Sequence, residues 1–153
     1  MNKFELSNLF KEKGATLGAA ESFTGGLFAA EITSVSGASQ FFKGSLITYA
    51  TEEKERVLGI PREEIQKYGV ISRETAFQMA SAAKRILDVD FAVAFTGNAG
   101  PEVMDFKPVG EVHIAVAYSA ICQVYSYSLS GTREEIRKEA IKIAYELLEK
   151  LLK

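Results

Sequence analysis

An almost entirely apolar stretch at residues 90–95, with the sequence DFAVAF, most constrains the fold of this chain. After its first residue it contains no polar position, which is typical of a central strand covered by other elements on both faces. Helical patterns flank it along the sequence, and the last of them opens with the capping box Thr132 and Glu135. A strand that is buried on both faces between helices indicates a layered α/β protein.

Apolar spacing and capping signals predict the remaining elements. The predicted helices are 4–14, 27–37, 51–58, 61–69, 72–87 and 132 to the end, and the predicted strands are 15–21, 44–50, 90–95, 111–118 and 123–129. Thr51 is expected to N-cap its helix, and Pro61 to be the first residue of the next one. This order predicts a single-domain three-layer α/β/α sandwich with a mixed sheet, spanning 1–153 without a repeat or linker.

Charge and composition exclude several classes of function. The net charge is −2 and the pI about 5.6, so no strong positive field exists to gather a nucleic acid. No stretch approaches the roughly 20 apolar residues of a membrane span, and the N-terminus lacks the pattern of a signal peptide. The lone Cys122 fits a reducing compartment, and its neighbours suggest a core thiol. A cytoplasmic protein is therefore expected, and its apolar helices allow a homo-oligomer.

Three polar or glycine-rich loops follow predicted strand ends, and they read SFTGG at 22–26, YATEEK at 49–54 and TGNAGP at 96–101. In open α/β sheets, ligands bind outside the carboxyl ends of the strands. We therefore expect the three loops to converge on one crevice.

The first loop contains Ser22, a candidate nucleophile that requires a base to remove its proton. The only histidine, His113, lies within a predicted strand, where a structural role is expected. A serine–histidine–aspartate triad and a histidine-based metal cluster are therefore disfavoured, and neither a metal nor an organic cofactor is predicted.

Lys54 offers another base. In the first turn of a helix capped by Thr51, the helix dipole would lower the pKa of Lys54, and burial would lower it further. A neutral lysine can accept the proton of Ser22, and Tyr49 could orient the amine or relay a proton. The alternative is that Lys54 is an exposed helix lysine beside acidic neighbours.

Gly25 and Gly26 begin the helix that follows Ser22. Backbone N–H groups at such a turn can bind a phosphate or a developing oxyanion. A role in turn formation and packing explains the two glycines equally well. No Gly-Lys-Ser/Thr follows them, so the loop is not a Walker motif.

Together, these loops resemble the C-terminal domain of the CinA (competence-damage-inducible) family. The matching pieces are AESFTGG at 20–26, ITYATEEK at 47–54, GVIS at 69–72, TGNAGP at 96–101, KPVG at 107–110 and GTR at 131–133. Stand-alone versions of this domain are nicotinamide-nucleotide amidases. The resemblance therefore implies deamidation of a small-molecule substrate, the pyridine mononucleotide nicotinamide mononucleotide, with Ser22 as nucleophile, Lys54 as base and Tyr49 assisting.

The resemblance also implies the substrate-binding residues. The amides of Gly25 and Gly26, or the Thr24 hydroxyl, would hold the oxyanion, and Thr96 and Gly97 would line the opposite wall. Two arginines at the start of the last helix are candidate phosphate contacts, although a solvated or salt-bridged role is an equal alternative. They are Arg133 and Arg137.

The third loop departs from the family pattern. Asn98 replaces a usual aliphatic residue, and residues 102–105 replace a longer glycine-rich segment with one that carries two acids. Such a loop could change the fit of the substrate or repel a phosphate. Two alternatives therefore stay open: a non-catalytic nucleotide-binding module of the same fold, and a hydrolase of a different small amide.

Overall fold

Strand β3 (Phe91–Gly97) lies at the centre of a five-stranded sheet in the computed structural model, which describes all 153 residues. The other strands are β1 (Leu17–Glu21), β2 (Phe42–Ile47), β4 (Glu111–Tyr118) and β5 (Ile121–Ser128). The order across the sheet is β2-β1-β3-β4-β5. The first three of these are parallel, and β4 runs antiparallel to both of its neighbours. The predicted mixed sheet is confirmed.

Side chains on β3 alternate between two apolar cores, one on each face of the sheet. Val93 and Phe95 point into one core, and Ala92 and Ala94 point into the other. The helices are α1 (Lys3–Lys13), α2 (Leu27–Thr33), α3 (Thr51–Arg56), α4 (Arg62–Tyr68), α5 (Arg73–Leu87) and α6 (Arg133–Leu152). The first core receives residues of α1, α2 and α6, and the second receives residues of α4 and α5. The three-layer α/β/α architecture is confirmed.

The second core is built from small residues. Helix α5 presents Ala76, Ala80 and Ala83 to the alanines of the central strands, and all of these are buried. Small side chains on both sides let the helix lie close to the sheet. The first core is filled instead by large side chains, including Phe10 and Phe28.

Some predicted boundaries were wrong by one to four residues. The largest error is at the end of α2, which was predicted to reach residue 37 and ends at Thr33, because the chain turns there before a short 3₁₀ helix at Ala38–Gln40. Strand β2 ends at Ile47 rather than at residue 50, because the chain then turns directly into α3. Thr51 is the first residue of α3 rather than its cap, which is Ala50 without a side-chain cap bond. Pro61 precedes α4 instead of starting it, and β1 and β5 each begin two residues from the predicted start. The capping box of α6 is confirmed.

None of the six α-helices combines the length and the apolar character required to cross a lipid bilayer.

Candidate active site

The carboxyl ends of β2, β1 and β3 lie side by side, and the three loops leave the sheet along this edge. Backbone hydrogen bonds join the strand ends. The Ser22 N–H donates to the Phe95 carbonyl at 3.2 Å, and the Thr48 N–H donates to the Glu21 carbonyl at 3.0 Å. Because β1 lies between the other two parallel strands, Ser22 emerges at the centre of this edge.

Lys54 reaches Ser22 from helix α3, 32 residues further along the chain. Its Nζ lies 2.9 Å from Ser22 Oγ and donates to the Thr48 carbonyl at 2.7 Å. The side chain of Lys54 is only 1% exposed, although its neighbours along the helix are polar and mostly more exposed. The alternative of an exposed helix lysine is therefore wrong.

Burial lowers the pKa of Lys54 from 10.5 to about 8, although the nearby Glu52 carboxylate acts in the opposite direction. The predicted direction is confirmed, but the predicted contribution of the helix dipole is not. Helix α3 has only six residues, and Lys54 belongs to its last turn. A cation is not disfavoured at that end of a helix. Loss of hydration in the buried site, rather than the dipole, perturbs this amine.

A lysine pKa of about 8 leaves about a tenth of the amine neutral at pH 7. The neutral amine retains N–H donors for the Thr48 carbonyl and gains a lone pair that can accept the Ser22 proton. The geometry therefore provides a nucleophile with a base already in contact.

The glycine turn after Ser22 is tightly closed. The Gly25 N–H donates to the Ser22 carbonyl at 3.0 Å, and both glycines adopt positive φ angles, 58° at Gly25 and 102° at Gly26. Positive φ is readily adopted only by glycine, which explains the residue type. Gly25 therefore closes the turn, and its amide is not free to bind an oxyanion, contrary to the prediction.

Other donors remain at this turn. The N–H groups of Phe23, Thr24 and Gly26 have no acceptor within the protein. Thr24 is wholly buried, its unpartnered hydroxyl and its N–H alike, so the N–H groups of Phe23 and Gly26 are the remaining candidates for an oxyanion. Sequence reasoning missed the Phe23 amide, although the residue after a nucleophile often supplies an oxyanion-hole N–H.

Glu21 is a second group that sequence reasoning missed. Its carboxylate is fully buried directly before the nucleophile, and it has no cationic partner. It accepts hydrogen bonds from the Phe28 N–H at 2.9 Å, the Ala29 N–H at 3.2 Å and the Ser45 hydroxyl at 2.8 Å. Glu21 therefore fixes the start of α2, and with it the turn that follows Ser22. An acid at the end of an apolar strand was the available signal.

Tyr49 lies on the rim of the site rather than beside the amine. The side chain is 59% exposed, and its hydroxyl accepts a hydrogen bond from Arg133 Nη2 at 3.2 Å. Neither Ser22 nor Lys54 forms a hydrogen bond with it. The predicted role in orienting Lys54 is not supported by this geometry, because the strand ends before Tyr49 and the hydroxyl faces α6.

Arg133 and Arg137 both reach the loops of this edge from the first turns of α6. Arg133 Nη1 donates to the Gly100 carbonyl at 2.6 Å, and Arg137 Nη2 donates to the Thr24 carbonyl at 2.8 Å. Arg137 Nε is buried without a partner. No carboxylate oxygen lies within 4.0 Å of either guanidinium, so the salt-bridged alternative is wrong. Arg137 therefore places a positive charge beside the serine loop. The more exposed Arg133 places a second one between the other two loops, and neither is paired with a carboxylate.

Thr96 and Gly97 are placed differently from the prediction. Thr96 is buried, and its hydroxyl donates to the Val70 carbonyl at 2.6 Å, which ties β3 to the segment before α5. Gly97 is buried in close contact with β4, where an added Cβ would lie 2.8 Å from the Glu111 carbonyl oxygen. Both residues are therefore buried inside the protein beside the site, where they support its structure, and Gly97 has no side chain that could contact a substrate.

His113 has the predicted structural role. Its ring nitrogens lie 2.8 Å from Ser126 Oγ and 2.9 Å from Glu111 Oε2, and the side chain is buried. Cys122 is only partly buried and packs at the margin of the second core, so the predicted core thiol lies closer to the surface than expected. No three histidine, cysteine or acidic side chains cluster in a way that could hold a metal ion.

The fold and the site define an α/β/α-sandwich protein with a serine–lysine pair at the carboxyl edge of its parallel strands. The chain belongs to the CinA C-terminal domain family, whose model matches residues 2–152.

Several relatives are similar over nearly the whole chain. A CinA-like protein of Geobacter sulfurreducens is 45% identical over 96% of this chain, which spans only 36% of that relative. The chain thus covers about a third of the length of such curated relatives. The crystal structure of the competence/damage inducible protein CihA from Agrobacterium tumefaciens has a TM-score of 0.94 at 34% identity, covering 99% of this chain and 93% of that one. A CinA superfamily protein from Klebsiella pneumoniae also gives 0.94, at 25% identity, with 99% and 98% covered.

Proposed function

We propose that this protein is an amidohydrolase that converts nicotinamide mononucleotide to nicotinate mononucleotide and ammonia. One observation carries the proposal: the Ser22 hydroxyl lies 2.9 Å from a buried lysine amine whose pKa is about 8. A hydroxyl beside an amine of that pKa is a nucleophile with its general base. The choice of a pyridine mononucleotide comes from the resemblance to stand-alone amidases of this family.

In the first half of the reaction, Ser22 Oγ attacks the amide carbonyl carbon while neutral Lys54 takes the hydroxyl proton. The negative charge that develops on the carbonyl oxygen is stabilised by N–H groups of the turn, for which Phe23 and Gly26 provide the free donors. Protonated Lys54 then gives its proton to the leaving nitrogen. The C–N bond breaks, ammonia departs, and an ester to Ser22 remains.

In the second half, water attacks the ester carbonyl, and Lys54 takes a proton from the water. The C–O bond to Ser22 breaks, the carboxylic acid is released, and Lys54 returns its proton to Ser22 Oγ. Every proton transfer passes through the same amine. The hydrogen bond to the Thr48 carbonyl at 2.7 Å keeps Nζ in place through both halves.

Arg133 and Arg137 would bind the 5′-phosphate of the substrate. Their guanidinium groups are held by neutral oxygen acceptors, so their charges stay available to an anion. The two acids of the third loop make no ion pair with either arginine. This arrangement supports a phosphorylated substrate, despite the departure of the third loop from the family pattern.

The direct test is ammonia release from nicotinamide mononucleotide by the wild-type protein and by Ser22→Ala. We expect the wild type to be active and the variant to lose turnover by at least about a hundredfold, with unchanged circular dichroism. A wild type that binds the nucleotide without releasing ammonia would favour a non-catalytic nucleotide-binding module. Activity only towards other compounds in a panel of small amides would favour a different substrate.

Two further expectations from the sequence remain predictions. A cytoplasmic location suits a mononucleotide substrate, and fractionation of cells of the source organism would test it. Self-association into a homo-oligomer is tested by light scattering of the purified protein. The names of the relatives refer to competence and damage induction, and they do not state an activity.

A further inference from the structure

Asn98 anchors the loop that joins β3 to β4. Its side chain is only 3% exposed, and it makes three hydrogen bonds within this loop. Nδ2 donates to the Glu102 carbonyl at 2.9 Å and to the Lys107 carbonyl at 3.2 Å. Oδ1 accepts from the Gly100 N–H at 2.9 Å. A single buried amide therefore bridges both arms of the loop.

The loop has few other internal restraints. Residues 101–106 are all exposed, and Phe106 at the tip is fully exposed. Outside the Asn98 side chain, backbone hydrogen bonds join the arms at only two places. The Lys107 N–H donates to the Met104 carbonyl near the tip, and at the foot of the loop the backbone of Asn98 accepts from the Gly110 N–H at 2.7 Å and donates to the Glu111 carbonyl at 2.9 Å. An aliphatic residue at position 98 would leave one buried N–H and two carbonyl oxygens without these partners. The conformation of the loop around Gly100 thus depends on the side-chain amide of Asn98.

The loop base in turn holds Arg133. The Gly100 carbonyl accepts from Arg133 Nη1 at 2.6 Å, while Arg133 Nη2 donates to the Tyr49 hydroxyl at 3.2 Å. Both acceptors are neutral, so they orient the guanidinium without cancelling its charge. The Asn98 amide bonds the Gly100 N–H on one side of this acceptor and the Glu102 carbonyl on the other, so it restrains the short segment that carries the Gly100 carbonyl.

We propose that Asn98 is a positioning residue that gives this site its preference for a phosphorylated substrate, acting through Gly100 on Arg133. The inference rests on the proposed function in one respect, because it assigns Arg133 to the phosphate of the substrate. Asn98 itself touches no reacting atom.

The experiment measures binding rather than turnover, in a Ser22→Ala background that cannot consume the ligand. Calorimetric titration compares nicotinamide mononucleotide with nicotinamide riboside, which lacks the phosphate. We expect Asn98→Leu to weaken mononucleotide binding about tenfold and to leave riboside binding unchanged. Arg133→Gln should cause a similar loss, and the double variant should lose no more than Arg133→Gln alone.

Two further variants separate positioning from folding. Phe106→Asn alters the exposed loop tip, tolerates its positive φ angle and should bind both ligands as the parent does. Asn98→Ser keeps an uncharged hydroxyl that can accept from the Gly100 N–H, two residues further on, and should restore part of the preference for phosphate. Thermal unfolding of each variant reports on the fold independently of binding.

The inference is overturned if Asn98→Leu weakens both ligands equally, if losses from Asn98 and Arg133 add in the double variant, or if no phosphate preference exists to be lost. A different result separates the two proposals. If the wild type releases no ammonia but prefers the phosphorylated ligand, and the variants lose that preference as expected, the amidase proposal is overturned and Asn98 remains a determinant of nucleotide binding.

Discussion

Replacing Lys54 by methionine should abolish turnover and make the stability of the protein less dependent on pH. Lys54 is 1% exposed, and its pKa falls from 10.5 to about 8. Methionine has a similar length and no charge, so it fills the same buried space. Without a base at Ser22, we expect kcat to fall by about 10²–10⁴-fold.

The effect on stability follows from the shift of the lysine pKa. The difference between 10.5 and about 8 corresponds to about 3 kcal/mol, which is the cost of keeping the ammonium charged in the folded protein at neutral pH. Between these two pH values, the unfolded chain holds a proton that the folded chain does not, so the free energy of unfolding should rise with pH. Below pH 8 both states are protonated, and the cost is constant.

In Lys54→Met this contribution is absent. The variant also loses hydrogen bonds to Ser22 and Thr48, which costs about 1–2 kcal/mol but does not titrate in the same way. The free energy of unfolding of the variant minus that of the wild type should therefore decrease by about 2–3 kcal/mol from pH 7 to pH 10. The pH dependence of this difference, rather than its absolute value, is the diagnostic quantity.

Urea unfolding followed by far-ultraviolet circular dichroism at pH 7 and pH 10 provides the measurement. Lys13→Met, at the exposed end of α1, controls for the loss of one positive charge. The reasoning is refuted if the difference between Lys54→Met and wild type is the same at both pH values. It is also refuted if the variant retains most of its activity.

Two further predictions concern the same edge of the sheet. Because only the neutral amine of Lys54 can accept a proton, log kcat/KM of the wild type should rise with pH at unit slope and level off near pH 8. A flat profile between pH 6 and 9 would exclude this lysine as the base. Glu21→Ala should lower the free energy of unfolding by about 2–4 kcal/mol, since two amides at the start of α2 and the Ser45 hydroxyl lose their buried acceptor. Urea unfolding at pH 7 checks this value, and a loss below about 0.5 kcal/mol would mean that the turn does not depend on Glu21.

The fold was largely predictable because its strongest signals are local. The apolar run of β3 and the helical spacing of α5 each follow from short stretches of sequence, and the order of elements then restricts the architecture to a few choices. Capping residues were less reliable guides to boundaries. Thr51 has the right chemistry to cap α3, yet the turn begins one residue earlier, because the chain needs only a short connection between β2 and α3.

The position of Ser22 was also predictable, because a serine before a glycine pair at a strand end is a local pattern. The environment of Lys54 was not. Its helix reads TEEKER, in which every residue is polar, and such a sequence ordinarily indicates a solvated segment. The Lys54 side chain becomes buried only in the folded protein, where helix α3 packs it against the ends of β1 and β2.

The roles of Tyr49 and Arg133 depend on contacts between residues that are 84 positions apart, for which no local pattern exists. The resemblance pointed to both residues as part of the site but could not show that each holds the other. Asn98 illustrates the converse. Its identity departs from the family pattern, and from the sequence alone it could only count against the substrate assignment. In the structure, the Asn98 amide forms hydrogen bonds within its loop, and the same loop holds Arg133 at the site. A residue that counted against the substrate assignment in the sequence therefore supports it in the structure.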